Sequence, residues 1–140
     1  MEDSEGKLSK SRGERITLEE VFTDCPPPAL RFYLLGFHYR DFTPYSPEGL
    51  LEACQEGERL GVNAVDCMVM EPTDPREDEE TASLVTKFED ALSDDLDTPR
   101  TLDVLRELDV IAGNRLKNKG DIGPISGMYS IFQCVLGVFS

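Results

Sequence analysis

Apolar residues recur at three- and four-residue spacings from Ile16 onward, and nowhere with the strict alternation of a half-buried strand. Thr17-Leu18-Glu19-Glu20 fits a capping box, with Ile16 and Val21 as its hydrophobic staple, and predicts a short helix over about 18–23. Pro26-Pro27-Pro28 ends it and supplies a proline for the first turn of the next. Leu30, Leu34 and Phe37 then share one helical face. Phe32, Tyr33 and Leu35 make that helix apolar on most sides, so it is expected to be buried against several neighbours.

Ser46-Pro47-Glu48 opens a third helix with Ser46 as cap, Pro47 at the first helical position and an acid in the first turn. Leu50, Cys54, Gly57, Gly61 and Ala64 trace one face, widened by Leu51 and Leu60, and the two glycines suggest close helix packing. Six acids, one arginine and two prolines between Glu71 and Glu80 predict a solvated, mobile linker. Val85, Phe88 and Leu92 define a fourth helix. Thr98-Pro99 caps a fifth, with Leu102, Leu105, Leu108 and Ala112 in one stripe and Gly113 as its stop. After a turn-rich connection over 117–124, Ile125, Tyr129, Phe132, Leu136 and Phe139 give a sixth. The fold class expected is all-α, an antiparallel helical bundle preceded by a flexible loop. Its divisions are a loop over 1–15, a helical region over 16–70, an acidic linker over 71–80 and a continued bundle over 81–140.

At 140 residues and 39% hydrophobic content, one core of ordinary size is expected. The apolar runs fall short of the roughly 20 residues that span a bilayer. The start, Met1-Glu2-Asp3-Ser4-Glu5, lacks the basic and apolar regions of a secretory signal, which places the chain in the cytoplasm with no membrane partner. Cys25, Cys54, Cys67 and Cys134 form no C-x-x-C pair, and His38 is the single histidine, so packed thiols are expected and no metal site. His38 itself is expected to be a hydrogen-bonded structural residue rather than a general base. The net charge of −14 argues against a polyanionic partner except where bases gather. Lys7, Lys10, Arg12 and Arg15 are the one such gathering.

Gly6-Lys7-Leu8-Ser9-Lys10-Ser11-Arg12-Gly13 resembles the KMSKS loop of class I aminoacyl-tRNA synthetases, with leucine in place of the usual methionine. Ile16 to Glu20, Pro28 to Leu35 and His38-Tyr39-Arg40 resemble the block that follows this loop in cysteinyl-tRNA synthetases. Phe88 to Pro99 resembles that family's later helix and its Asp-Asp-x-x-Thr-Pro turn, and Val135-Leu136-Gly137 matches more loosely. The chain departs from the family at Pro28, where aspartate is usual, and at Glu14, where asparagine commonly follows the loop glycine.

The resemblance implies the portion of a synthetase from its ATP-handling loop through its helical bundle, with 16–70 as a stem-contact-like region. In the complete enzyme the implied activity is activation of cysteine with ATP and ligation to its tRNA. Attack of the cysteine carboxylate on ATP builds charge on the phosphates, which ammonium groups on a mobile loop can stabilise. Lys10 is the first choice for the ATP contact and Lys7 the second catalytic candidate. Ser9 supports them, and Gly13 keeps the loop mobile and its amides approachable.

The family's HIGH motif and the zinc that holds the substrate thiol have no counterpart here, so the chain is expected to be inactive without the missing catalytic half as partner. Asp94, Asp95 and Asp97 are expected to serve turn formation and helix-dipole stabilisation rather than metal or acid-base work. Arg31 and Arg40 can each meet a loop carboxylate or an RNA phosphate, and an intramolecular ion pair is an equal alternative. Two other functions stay open: a mycothiol-pathway cysteine ligase, and a non-catalytic helical adaptor derived from a synthetase.

Overall fold

The computed structural model describes residues 17–42 and 45–139. Lys7, Ser9, Lys10, Gly13 and the staple residue Ile16 lie outside the described residues. Those described build six α-helices and one 3-10 turn, with no strand among them: α1 Leu18–Asp24, α2 Pro27–Leu35, α3 Pro47–Met68, the 3-10 turn Pro75–Glu77, α4 Glu79–Ser93, α5 Thr98–Asn118 and α6 Gly123–Leu136. The chain is an all-helical bundle, and none of these helices is long and apolar enough to cross a membrane.

The caps follow the sequence closely. Thr17 Oγ1 accepts from the Glu20 amide at 3.2 Å and Ser46 Oγ from the Gly49 amide at 2.9 Å, with Pro47 opening α3. α5 differs: its cap is Asp97, which accepts from the Arg100 amide at 3.3 Å, and Thr98 and Pro99 already lie inside the helix. Gly113 does not stop α5, which continues to Asn118 and ends on Lys119 in the left-handed conformation. A Cβ on Gly113 would stand 3.4 Å from Asn63 Nδ2, so this glycine serves the approach of α3 to α5. There Asn63 donates to Asp109 Oδ1 at 3.0 Å.

The core is centred on α6. Ile125, Met128, Tyr129 and Phe132 are fully buried there, packed against Leu60, Ala64 and Cys67 of α3, Leu84, Val85 and Phe88 of α4, and the Leu102, Leu105, Leu108 and Ala112 stripe of α5. A smaller cluster joins Val21 of α1 and Tyr33 of α2 to Leu50 of α3, with Cys25 between. α2 is less enclosed than its composition suggested: Phe32 and Tyr33 are buried, but Leu34 is exposed. In α3, Leu60 is buried while Leu51 faces solvent. Cβ atoms on Gly57 or Gly61 would meet nothing within 4 Å, so these glycines line an open groove rather than a helix contact.

The 71–80 stretch keeps most of its charged side chains in solvent, yet its backbone is fastened to the core. Met70 O accepts from Ser126 Oγ at 2.9 Å, Thr73 N–H donates to Gly123 O at 3.0 Å, and the buried Pro75 offers its carbonyl to Thr81 Oγ1 at 2.6 Å. Buried backbone groups require such partners, and charge composition does not reveal them. Arg115 closes the same side, donating to Asp78 at 2.8 Å, Glu80 at 2.7 Å and the Asp121 carbonyl at 3.0 Å. This guanidinium holds the Asp78 carboxyl below the usual carboxylate range.

A Cβ on Gly127 would collide with the Thr73 backbone carbonyl. Gly127→Ala should therefore cost about 3 kcal/mol by forcing backbone apart. Gly57→Ala, in open helix interior, should instead add about 0.5–1 kcal/mol. Urea midpoints of the two variants moving in opposite directions would bear this out; equal shifts would refute the close approach. In the same titration Tyr129→Phe should gain about 1 kcal/mol, because the buried Tyr129 hydroxyl has no hydrogen-bond partner among the described residues and desolvation lifts its pKa well above the ordinary phenol value. A less stable phenylalanine variant would show that the hydroxyl is satisfied.

Candidate functional site

Two segments 55 residues apart in sequence meet at one edge of the bundle. α2 ends at Leu35, Gly36 N–H bonds back to Tyr33 O at 3.2 Å, and a turn closed by Asp41 N–H on His38 O at 2.9 Å presents His38, Tyr39 and Arg40. Opposite lies the reversal between α4 and α5. Asp95 and Leu96 take positive φ angles of 56° and 54°, which lets the Asp97 amide reach Ala91 O at 2.9 Å and Asp97 cap α5. Left-handed backbone costs a residue with a Cβ about 1–2 kcal/mol, and aspartate is among the side chains that adopt it most readily.

The strained turn aims Asp95 at the other segment. Its carboxylate accepts from Tyr39 Oη at 2.7 Å and from Arg40 Nε at 2.6 Å, and His38 Nε2 stands 3.8 Å away. His38 Nδ1 accepts from the Arg40 amide at 3.2 Å, which leaves the proton of the neutral ring on Nε2, facing Asp95. The His38 and Tyr39 rings stack at 4.9 Å, and the Arg40 guanidinium lies 5.3 Å from the Tyr39 ring centroid. A shallow hollow of about 370 Å³ adjoins them, lined by Leu34, Leu35, Phe37 and Leu96 among others. The hydrogen bond from Tyr39 and then that from Arg40 hold the Asp95 carboxyl below its ordinary value, while the Tyr39–Asp95 bond holds the Tyr39 phenol above its own.

The junction gathers an aromatic face, a guanidinium and an imidazole around one carboxylate. Arg40 thus meets a loop carboxylate, one of its sequence-level alternatives. Arg31 instead donates to the Gly137 carbonyl at 3.0 Å, beyond α6. His38 is hydrogen-bonded, as expected. Asp95, read from sequence as a turn former, is also the carboxylate that meets Tyr39 and Arg40 and faces His38. The signal was present in two motif blocks of one family, at 38–40 and 94–99, with no local reason for both. The candidate loop residues Lys7, Ser9, Lys10 and Gly13 fall outside the described residues. Among the described residues no three His, Cys, Asp or Glu side chains gather as metal ligands would.

Asp95→Asn keeps a residue that tolerates the left-handed turn but removes the charge. The Tyr39 phenol, freed of the carboxylate, should then titrate closer to its ordinary value, followed by NMR of ring-labelled tyrosine; an unmoved Tyr39 would mean the bond is not what holds it. Because the folded-state pKa of Asp95 is depressed, its contribution to stability is present above the ordinary carboxylate value, about 3.9, and is lost as pH falls through the lower folded-state value. The asparagine variant should accordingly show a flatter acid limb.

No protein-family model matches the chain. Curated relatives do. The cysteine–tRNA ligase of Geobacter sulfurreducens is 35% identical over 124 residues, covering 83% of this chain and 26% of the relative. That of Shewanella sp. (strain MR-4) is 36% identical over 122 residues, covering 87% and 25%. That of Pelobacter propionicus is 29% identical over 159 residues, covering 96% and 32%. The chain therefore belongs by sequence to the cysteine–tRNA ligase family, and spans about a quarter to a third of the length of the curated relatives it matches.

Proposed function

We propose that the chain serves as the loop-and-bundle portion of an enzyme that activates cysteine with ATP and joins it to tRNA, in the cytoplasm. The observation that carries this reading is the meeting of the two family-like blocks, His38-Tyr39-Arg40 and Asp94 to Pro99, in one hydrogen-bonded junction. Two blocks that each resemble one family and share one carboxylate are consistent with a single structural unit of that family. α1, which follows the basic run directly, is capped at Thr17 and packed through Val21 on α2 and α3, so the run enters a fixed platform.

In this reading Lys10 and Lys7 stabilise charge as it develops on the ATP phosphates, and Ser9 and Gly13 let the backbone approach those oxygens. Lysine suits the task because its flexible stem delivers a point charge. The zinc that the family resemblance implies for the complete enzyme has no ligand set among the described residues. In this reading tRNA is the acceptor, and cysteine and the adenine end of ATP would be held by the rest of the enzyme, outside the roughly quarter to a third of the relatives' length that this chain matches.

The test is a chimaera carrying this chain in place of the matching segment of the Geobacter sulfurreducens ligase. The chain alone should give no cysteine-dependent exchange of pyrophosphate into ATP, whereas the chimaera should. Lys10→Ala in the chimaera should lower turnover by on the order of 10²-fold while changing ATP affinity little, because a mobile-loop lysine acts chiefly in the transition state. Lys7→Ala should cost less. Full turnover with alanine at position 10 would overturn the catalytic role and leave the adaptor reading in its place.

A further inference from the structure

The four cysteines have four different surroundings. Cys67 is wholly buried in the main core, where burial pushes its thiol up to about 11, and Cys134 is exposed on α6. Cys25 and Cys54, 29 residues apart, stand sulfur to sulfur at 2.9 Å, with Cys54 S–H donating to Cys25 Sγ and Cys25 S–H directed to the Pro26 carbonyl at 3.7 Å. Neither is oxidised. Their access differs sharply. Cys25 is 2% exposed, in extended backbone at the corner between α1 and α2, whereas Cys54 is half-buried and lines a groove of about 620 Å³. That groove runs along α3 and is walled by Pro26, Pro28, Ala29 and Phe32, with the bare Gly57 and Gly61 below. Cys54 thus borders the groove, and Cys25, which does not line it, lies against the Cys54 sulfur.

We propose that Cys54 and Cys25 form a thiol–disulfide exchange site that takes a small aliphatic disulfide, with Cys54 as the attacking thiol and Cys25 as the resolving one. A packed pair of inert thiols would need neither this asymmetry nor an apolar groove at one sulfur.

The steps balance. Cys54 gives its proton to water, and its thiolate attacks one sulfur of the small disulfide R–S–S–R. A Cys54–S–S–R bond forms, the R–S–S–R bond breaks, and R–S⁻ leaves and takes a proton. Cys25 then loses its proton and attacks Cys54 Sγ, and the second R–S⁻ leaves. Two protein thiols are oxidised to one disulfide, and one small disulfide is reduced to two thiols. Bond formation requires the sulfurs to close from 2.9 Å to about 2.05 Å, a side-chain movement.

The order is also electrostatically consistent. Burial first, then the hydrogen bond and charge of Cys54, push the Cys25 thiol up to about 12, which makes it a poor first nucleophile. Once Cys54 carries the mixed disulfide it is neutral, and the last of these opposing effects is removed. The product ties the α1–α2 corner to α3.

Cystamine is a suitable probe, being small and cationic against a net charge of −14. The 140-residue chain is incubated with it anaerobically, quenched in acid, alkylated while unfolding, and its cysteines are assigned by peptide mass. The expected result is a Cys25–Cys54 cross-link formed at least ~10-fold faster than any modification of Cys67, with a cysteamine adduct on the exposed Cys134. Cys25→Ala should stop at a cysteamine adduct on Cys54, and Cys54→Ala should leave Cys25 unmodified. The proposal is overturned if the unaltered chain gains only the Cys134 adduct, or if Cys54 takes cysteamine and never passes to the cross-link. Both outcomes are read on the unaltered chain, so they hold whether or not the variants fold.

Discussion

Ile125, Met128, Tyr129 and Phe132 leave α6 without a solvent face over its central turns, so every neighbouring element has to be arranged around a helix that must be covered on all sides. α3, α4 and α5 cover three of them. The fourth is closed by an irregular backbone stretch, and this is possible only because Gly127 carries no side chain where the Thr73 carbonyl passes. An irregular segment against a core must pair its polar groups, and Ser126, Gly123 and Thr81 supply partners for Met70, Thr73 and Pro75. The same closure places Asp78 at the start of α4, where it caps the helix and receives Arg115. Helix α4 is thereby set in register with α5, and the α4–α5 reversal arrives where Asp95 can meet Tyr39 and Arg40.

Local chemistry explains what could be read directly from the residues. A Ser or Thr cap, a proline in the first turn and a 3.6-residue stripe act within one helix, so the starts of α1 and α3, the α5 stripe and Ile125, Tyr129 and Phe132 of α6 were legible. Phe139, expected on the sixth helix, lies beyond its end at Leu136. The failures share one cause. Gly113, Gly57 and Gly61 are identical in sequence terms, and only tertiary neighbours decide that one admits Asn63 while the others floor a groove. Leu34 and Leu51 obeyed helical spacing yet face solvent, because a stripe fixes which residues share a face but not how much of that face a neighbour covers. The 71–80 stretch misled for the opposite reason. Its side chains are mostly exposed, as their charges demand, but it is the backbone that is docked, and composition reports only on side chains.

The junction was legible in pieces. His38-Tyr39-Arg40 and the 94–99 turn were each visible as family-like blocks, while their shared carboxylate depends on two left-handed residues that no propensity favours at Leu96. The Cys25–Cys54 contact was hidden in the same way, since a spacing of 29 residues carries none of the short-range signature by which paired thiols are usually noticed. Long-range pairs of this kind follow from how α1, α2 and α3 pack around Tyr33 and Leu50, not from either residue's neighbours in sequence.

Charge sets a further condition on the proposed reading. Of the bases among the described residues, Arg40, Arg59, Arg76, Lys87, Arg100, Arg106 and Arg115 are already engaged by carboxylates, several of them by two, and Arg31 by a backbone carbonyl, whereas Lys117 and Lys119 stand exposed at the end of α5. An RNA phosphate approaching the carboxylate-engaged side chains would have to displace a carboxylate already within hydrogen-bonding or ion-pair distance, and would do so against the field of a strongly acidic chain. Exposed pairs of this type are individually weak, on the order of 1 kcal/mol or less, so displacement is feasible at one or two positions but not across a face. In the proposed reading the favourable electrostatic term for a nucleotide or a tRNA end would lie mainly where bases are dense in sequence and acids sparse, between Lys7 and Arg15. In that reading the bundle would contribute by a different means: α1 is capped at Thr17, and most of the bundle's own cations are already held by carboxylates, which would limit indiscriminate binding of a polyanion.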